Sequence, residues 1–237
     1  MKPYIKQLLI FMAATALAFS SCSKDDSADP DKSDSDGKEV GTNYEPGNIP
    51  GMGETEGELT GRPFAFPEKI EIKGGLKGDL FLVPGKDYCR SLGSGAFVLV
   101  QLELVNHLEK DTLLVLPAGL TFRAMDEQDQ NGLLIQETEI SLAGGETCRT
   151  LIYLYCINQH KSGSSSNSRY AFGPVSDASP VVELIQLLKG KRINFEHLGN
   201  EEFQSLKHDL QYIVWNVTDG NGITQEDRDF IRSLPAR

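Results

Sequence analysis

Apolar and polar residues change their rhythm several times along this chain. Leu8–Phe19 is a nearly unbroken apolar run behind Lys2 and Lys6, whereas residues 23–62 hold almost no large apolar side chains. From about Phe64 the texture becomes alternating. In Glu68–Lys73, Ile70 and Ile72 share a face, and Phe81–Val83 follows a turn at Gly74 and Gly75. Ala96–Asn106 reads as a long strand with Val98, Val100, Leu102 and Leu104 on one face, opposite Gln101 and Glu103. Leu113–Leu116 is a short apolar run stopped by Pro117, Ala118 and Gly119. With Thr121–Arg123, Leu133–Thr138 and Thr150–Ile157 this makes about seven strands divided by Gly, Pro and Asp turns, the pattern of an antiparallel, immunoglobulin-like β-sandwich.

After Ile157 the period lengthens. Ser162–Ser168 is a polar loop. Ser179 is placed to cap a short helix with Pro180 in its first turn and Gly190 past its end. Asn200 is placed to cap a longer one, with Phe203, Leu206, Leu210, Ile213, Val214 and Val217 at three- and four-residue steps. Asp219-Gly-Asn-Gly222 breaks it, and Thr224 with Asp227 resembles a capping box for a last short helix through Ser233. The fold class expected is α+β, a sandwich followed by a small helical region packed on it. The divisions are a signal at 1–21, a tether at 22–62, the sandwich at 63–158 and the helical region at 159–237.

The N-terminal run has the layout of a secretory signal: basic residues, an apolar stretch too short to span a bilayer, then small Ser20 and Ser21. Its first mature residue would be Cys22. Ala18-Phe19-Ser20-Ser21-Cys22 resembles a bacterial lipobox, which implies that Cys22 is acylated (palmitate-type chains) and becomes the new N-terminus. An ordinary cleaved signal beside an unrelated cysteine is the alternative. Two or three chains would hold the protein on a membrane, whereas one binds only marginally. Cleavage leaves 216 of the 237 residues, enough for a substantial core.

Charge is uneven. Residues 23–62 carry eleven acids and four bases, a net of −7 within the overall −11. Such a segment buries too little surface to offset its ordering entropy, so it reads as a flexible tether. Its start, Ser23-Lys24-Asp25-Asp26, resembles the acidic export signals that carry Gram-negative lipoproteins to the outer face of the outer membrane; retention on the periplasmic face is the alternative. No basic stripe with interleaved aromatics occurs, which argues against nucleic acid as a partner.

Beyond Cys22 stand Cys89, Cys148 and Cys156, an odd number in an exported chain. Cys156 ends the last expected strand. It reads either as a buried thiol or as a partner of Cys89; Cys148, eight residues back on one extended segment, is a less natural partner. On the long helix, Gln204, His208, Gln211 and Trp215 fall together on a flank away from the main apolar stripe. A second packing face explains such a cluster without any site.

Two segments carry a further resemblance. Tyr155-Cys156-Ile157 and Leu210-Gln211-Tyr212-Ile213-Val214-Trp215-Asn216-Val217-Thr218-Asp219 are similar to the paired motifs of bacterial surface thioester domains. In that family a Cys thiolate displaces ammonia from a Gln carboxamide, and the buried thioester later couples to an amine on a host target. The resemblance implies that Cys156 supplies the sulfur and Gln211 the acyl group; Tyr155 beside the cysteine, and His208 and Trp215 on the same helix flank as Gln211, are expected to border this candidate site. It implies adhesion to a host or neighbouring surface protein or glycan, alongside the membrane reached through the lipid.

Other chemistry is poorly supported. Asp219–Ile223 lacks the later bidentate Glu of a calcium loop. His107, His160, His197 and His208 form no pair at metal-ligand spacing, and no Cys/His set resembles a zinc site. Neither a Gly-x-Ser-x-Gly elbow nor a phosphate loop is present. Neither a catalytic motif, a metal nor a cofactor is therefore expected. The main alternative is a non-covalent protein- or glycan-binding or assembly lipoprotein.

Overall fold

The computed structural model describes residues 42–80 and 88–237. The signal, Cys22, the first half of the tether and the strand expected at Phe81–Val83 lie outside the described residues. The strands are β1 (Ile70–Ile72), β2 (Leu76–Gly78), β3 (Arg90–Gly93), β4 (Val98–Asn106), β5 (Thr112–Leu116), β6 (Leu120–Ala124), β7 (Gly132–Leu133), β8 (Thr138–Leu142), β9 (Thr147–Cys156) and β10 (Arg169–Val175). Helices α1 (Ser179–Leu188), α2 (Asn200–Thr218) and α3 (Gln225–Ser233) follow. Among the described residues no helix is long and apolar enough to cross a membrane.

The fold is α+β and rich in sheet, but the sheet closes on itself. Six strands form a barrel in the order β4-β2-β10-β6-β7-β9, and the ring is completed where β9 pairs β4 from Val98↔Leu154 to Val105↔Thr147. This corrects the expectation of an immunoglobulin-like sandwich. Alternation along each strand is the same in both architectures, because both bury one face. The strand that decides is β10, which links β2 to β6. Its Gly173 and Pro174 hide it in the sequence; they sit where its register on β6 shifts, a bulge that tolerates a residue without an N–H. β10, which lies past residue 158, pairs within the barrel sheet.

Other elements shift for local reasons. The turn expected at Gly74 and Gly75 is present, between β1 and β2. β1 and β2 pair the same edge of β4, at Ile72↔Leu104 and Lys77↔Gln101, so the two glycines are the extra residues of a bulge, both at positive φ. The segment Leu133–Thr138 divides into β7 and the start of β8, which pairs β5 in a separate two-stranded sheet. α1 and α2 are capped by Ala178 and Gly199 without a side-chain bond; Ser179 instead donates to the Tyr44 carbonyl. The capping box of Thr224 and Asp227 on α3 is present.

Inside the barrel Val98, Val100, Leu102 and Leu104 pack with Phe122, Ile152 and Leu154, and β5–β8 adds Leu114, Leu116, Ile140 and Leu142 to the same core. A second core lies outside the barrel, where Leu133, Ile135, Tyr155 and Ile157 meet α1, α2 and α3. Each fully buried side chain of this kind contributes about 1.5–3 kcal/mol.

Residues 42–62, assigned to the tether from their composition, are folded onto that second core. Ile49 and Met52 are fully buried in it. The Gly47 N–H donates to the Val217 carbonyl and the Gly53 N–H to that of Ile157. Average polarity conceals the two anchors, and glycine makes the approach feasible: a Cβ on Gly53 would stand 2.3 Å from the Thr218 carbonyl oxygen.

Candidate functional site

Cys156 is the last residue of β9 and turns its side chain into the barrel core. Pairing with β4 stops two residues earlier, at Leu154. On that side the backbone N–H and C=O of Cys156 therefore lack a strand, and buried groups of this kind must find partners. Gln211 of α2 provides both. The Cys156 N–H donates to Gln211 Oε1 at 2.9 Å, and Gln211 Nε2 donates to the Cys156 carbonyl at 2.8 Å. The carboxamide stands in for one peptide unit of the missing strand. It is almost completely buried, on a helix whose neighbouring Leu210, Ile213 and Val214 anchor it in the second core.

One helical turn on, Trp215 reaches the same cysteine. Its indole N–H donates to Cys156 Sγ at 3.3 Å. The ring stacks on Phe97 with centroids 5.5 Å apart and planes 8° apart, and Tyr212 meets it edge-on at 5.6 Å. A second donor, the Asn158 backbone N–H, lies 3.4 Å from the sulfur. The Asn158 side chain is itself tied down: it donates to the carbonyls of Gly51 and Gly53 and accepts from the Asn131 N–H. The strap at 42–62 thus fixes the loop that carries one sulfur donor.

Of the residues singled out in the sequence, Cys156, Gln211 and Trp215 come together. His208 lies at the edge, exposed, its ring 5.5 Å from Phe97. Gln204 only reaches back to Asn200. Tyr155 does not flank the sulfur: as the preceding strand residue it faces the opposite way, into the helical core, where burial raises its hydroxyl pKa. Phe97 and Asn158 went unnoticed in the sequence; the position of Asn158, two residues past the cysteine, was the available signal.

No family model, no curated protein and no solved structure matches the chain. What the site can do must be read from its own atoms.

Cys89 and Cys148 form a disulfide with Cα atoms 5.8 Å apart, which excludes the Cys89–Cys156 pairing weighed above and leaves Cys156 as a free, buried thiol. β3 runs parallel beside β9 and places Cys89 opposite the β9 segment that contains Cys148. Glu146 joins these two sulfurs as the one group of possible metal ligands among the described residues, but both sulfurs are spent in their mutual bond. A cleft of about 500 Å³ lies elsewhere, lined by Arg62, Gln136, Ile185, Lys189 and Arg237 among others, and holds none of these residues.

Burial pushes the Cys156 thiol up to about 12, opposed by the hydrogen bonds from Asn158 and Trp215. The resting sulfur is therefore held as the neutral thiol near neutral pH. The sulfur belongs to the same residue whose backbone N–H and C=O hold the Gln211 carboxamide. The Cys156 N–H already polarises the Gln211 acyl oxygen. A nucleophile, an acyl group and an oxyanion donor in a site closed to bulk water are the components of acyl transfer.

Proposed function

We propose that the chain is a lipid-anchored surface protein of the outer membrane that attaches to a target through an internal thioester between Cys156 and Gln211. The reading rests chiefly on one observation, the seating of the Gln211 carboxamide on the cysteine that owns the only free thiol among the described residues. The bond forms when Sγ attacks the Gln211 carboxamide carbon. The thiol proton leaves with the amide nitrogen as ammonia, and the Cys156 N–H holds the developing oxyanion. A primary amine on a host or neighbouring surface protein later takes the acyl group and returns the thiol. Acyl chains on Cys22 and an acidic export signal at Ser23–Asp26 would present this chemistry outward, with the segment before residue 42 as the tether.

A second reading has its own support. Gln211 satisfies both polar groups at the end of β9, which is a complete structural role without any bond. In that reading the protein is a binding or assembly lipoprotein that holds a protein or glycan non-covalently. Intact mass of the purified full chain, without reductant, separates the two. A deficit of one ammonia, absent in Cys156→Ala and replaced by the adduct mass after methylamine, is expected; full mass in the untreated protein overturns the thioester. For the address, replacing Ser23, Lys24, Asp25 and Asp26 by alanine should abolish labelling of whole cells, and unchanged labelling removes surface display.

A further inference from the structure

We propose that the indole N–H of Trp215 and the backbone N–H of Asn158 form a cradle for negative charge on the Cys156 sulfur, and that Trp215 is thereby a catalytic residue in opening the thioester; the role in opening rests on the thioester reading above. The two donors lie 3.3 and 3.4 Å from the sulfur. A tryptophan N–H can only donate, and a neutral sulfur is a weak acceptor, so the pair gains little in the resting protein. It gains most when the sulfur becomes anionic, because hydrogen bonds to charged acceptors are roughly twice as strong.

Neither donor has to reorganise to do this. Phe97 beneath and Tyr212 at the edge fix the plane of the indole. Asn158 is fixed by its side-chain bonds to Gly51, Gly53 and Asn131. The acyl carbon is then flanked by two separate devices, the Cys156 N–H for its oxygen and the cradle for its sulfur.

The balance of the step shows where the cradle acts. The amine nitrogen bonds to the Gln211 acyl carbon, and the C=O pair moves to Oε1. Collapse restores C=O and breaks the C–S bond, whose electron pair goes to Sγ; the surplus amine proton ends on the sulfur. Charge on Sγ exists in the transition state and not in the thioester, so stabilising it accelerates opening rather than merely strengthening binding. Removing one preorganised donor from an oxyanion costs 10²–10³ in rate. Sulfur is a softer acceptor, so a loss of about 10–100-fold is expected here.

Trp215 is the only tryptophan in the chain, which allows an isosteric test. Production of the full chain in a tryptophan auxotroph fed β-(3-benzothienyl)alanine replaces the N–H by sulfur at this position alone and keeps the ring's shape; Trp215→Phe is the second variant. The rate of methylamine incorporation, followed by intact mass, should fall about 10–100-fold in the analogue, with the thermal midpoint and ammonia deficit retained. An analogue rate within about twofold of wild type overturns the proposal. The untreated wild-type mass reports separately on the thioester reading. If wild type or analogue carries no thioester, iodoacetamide alkylation of Cys156, the only free cysteine among the described residues, reads the cradle directly. Its rate should fall in the analogue and its pH profile should move alkaline, which packing alone would not cause; an unchanged rate and profile overturn the cradle.

Discussion

Gln211→Leu, made in a Cys156→Ala background so that no thioester can contribute, isolates the carboxamide's work at the end of β9. Leucine keeps nearly the same volume and removes both hydrogen bonds, leaving the N–H and C=O of residue 156 without partners in a buried site. Each orphaned group costs about 1–3 kcal/mol, so the variant should lose roughly 2–6 kcal/mol relative to Cys156→Ala alone. For a folded part of this size, 1 kcal/mol moves the thermal midpoint by about 2–4 °C, which predicts a fall of at least about 4 °C. Circular dichroism on heating, with a urea titration for the free energy, makes the measurement. Gln211→Glu in the same background adds a sign. Its second oxygen would replace a donor that now lies 2.8 Å from the Cys156 carbonyl, so it must be protonated to fit. Its folded pKa is therefore raised, and the stability is present below its unfolded value of about 4.3 and lost as pH rises. A Leu variant within about 0.5 kcal/mol of its parent would refute the idea that Gln211 replaces a strand.

Three further outcomes follow from the same geometry. Met52→Ala should cost about 2–5 kcal/mol by denaturant titration, because its side chain is completely buried; a neutral result would mean that the strap is not part of the folded unit. Reducing the Cys89–Cys148 disulfide, whose partners are 59 residues apart, should lower stability by ~4 kcal/mol, read as a fall in urea midpoint on adding reductant to Cys156→Ala. Burial holds the free Cys156 thiol well above its ordinary 9.0, at about 12. The folded protein therefore keeps a proton that the unfolded chain releases, and stability falls as pH rises from 9 towards 12. Amine-opened wild type should lose more stability across that window than Cys156→Ala, and parallel curves would contradict the burial argument.

The parts of the fold that were legible in the sequence are those where one physical signal acts alone. β4 shows its alternation because one face fills the barrel and the other does not. α3 shows its start because Thr224 and Asp227 satisfy each other's backbone groups locally. Closure of the barrel was illegible because it depends on β10, whose Gly173 and Pro174 interrupt the local pattern while the register on β6 absorbs them. The strap was illegible for a related reason, since Ile49 and Met52, with Tyr44 and Leu59 partly buried beside them, are sparse anchors in a segment rich in glycine and acidic residues.

The candidate site was partly legible for an instructive reason. Gln211 and Trp215 lie one turn apart on a flank that should face solvent if α2 only covered the second core. A buried carboxamide there requires polar partners, and the helix has none to spare. Those partners exist only because β4 begins too late to pair Cys156, so one gap in the β-ladder selects the glutamine, the cysteine that it holds and the line along which α2 must lie. Sequence spacing brings the two residues to one element each; the missing pair of ladder hydrogen bonds brings them together. Whether the carboxamide stays a substitute for a strand or becomes an acyl donor, its position has the same origin.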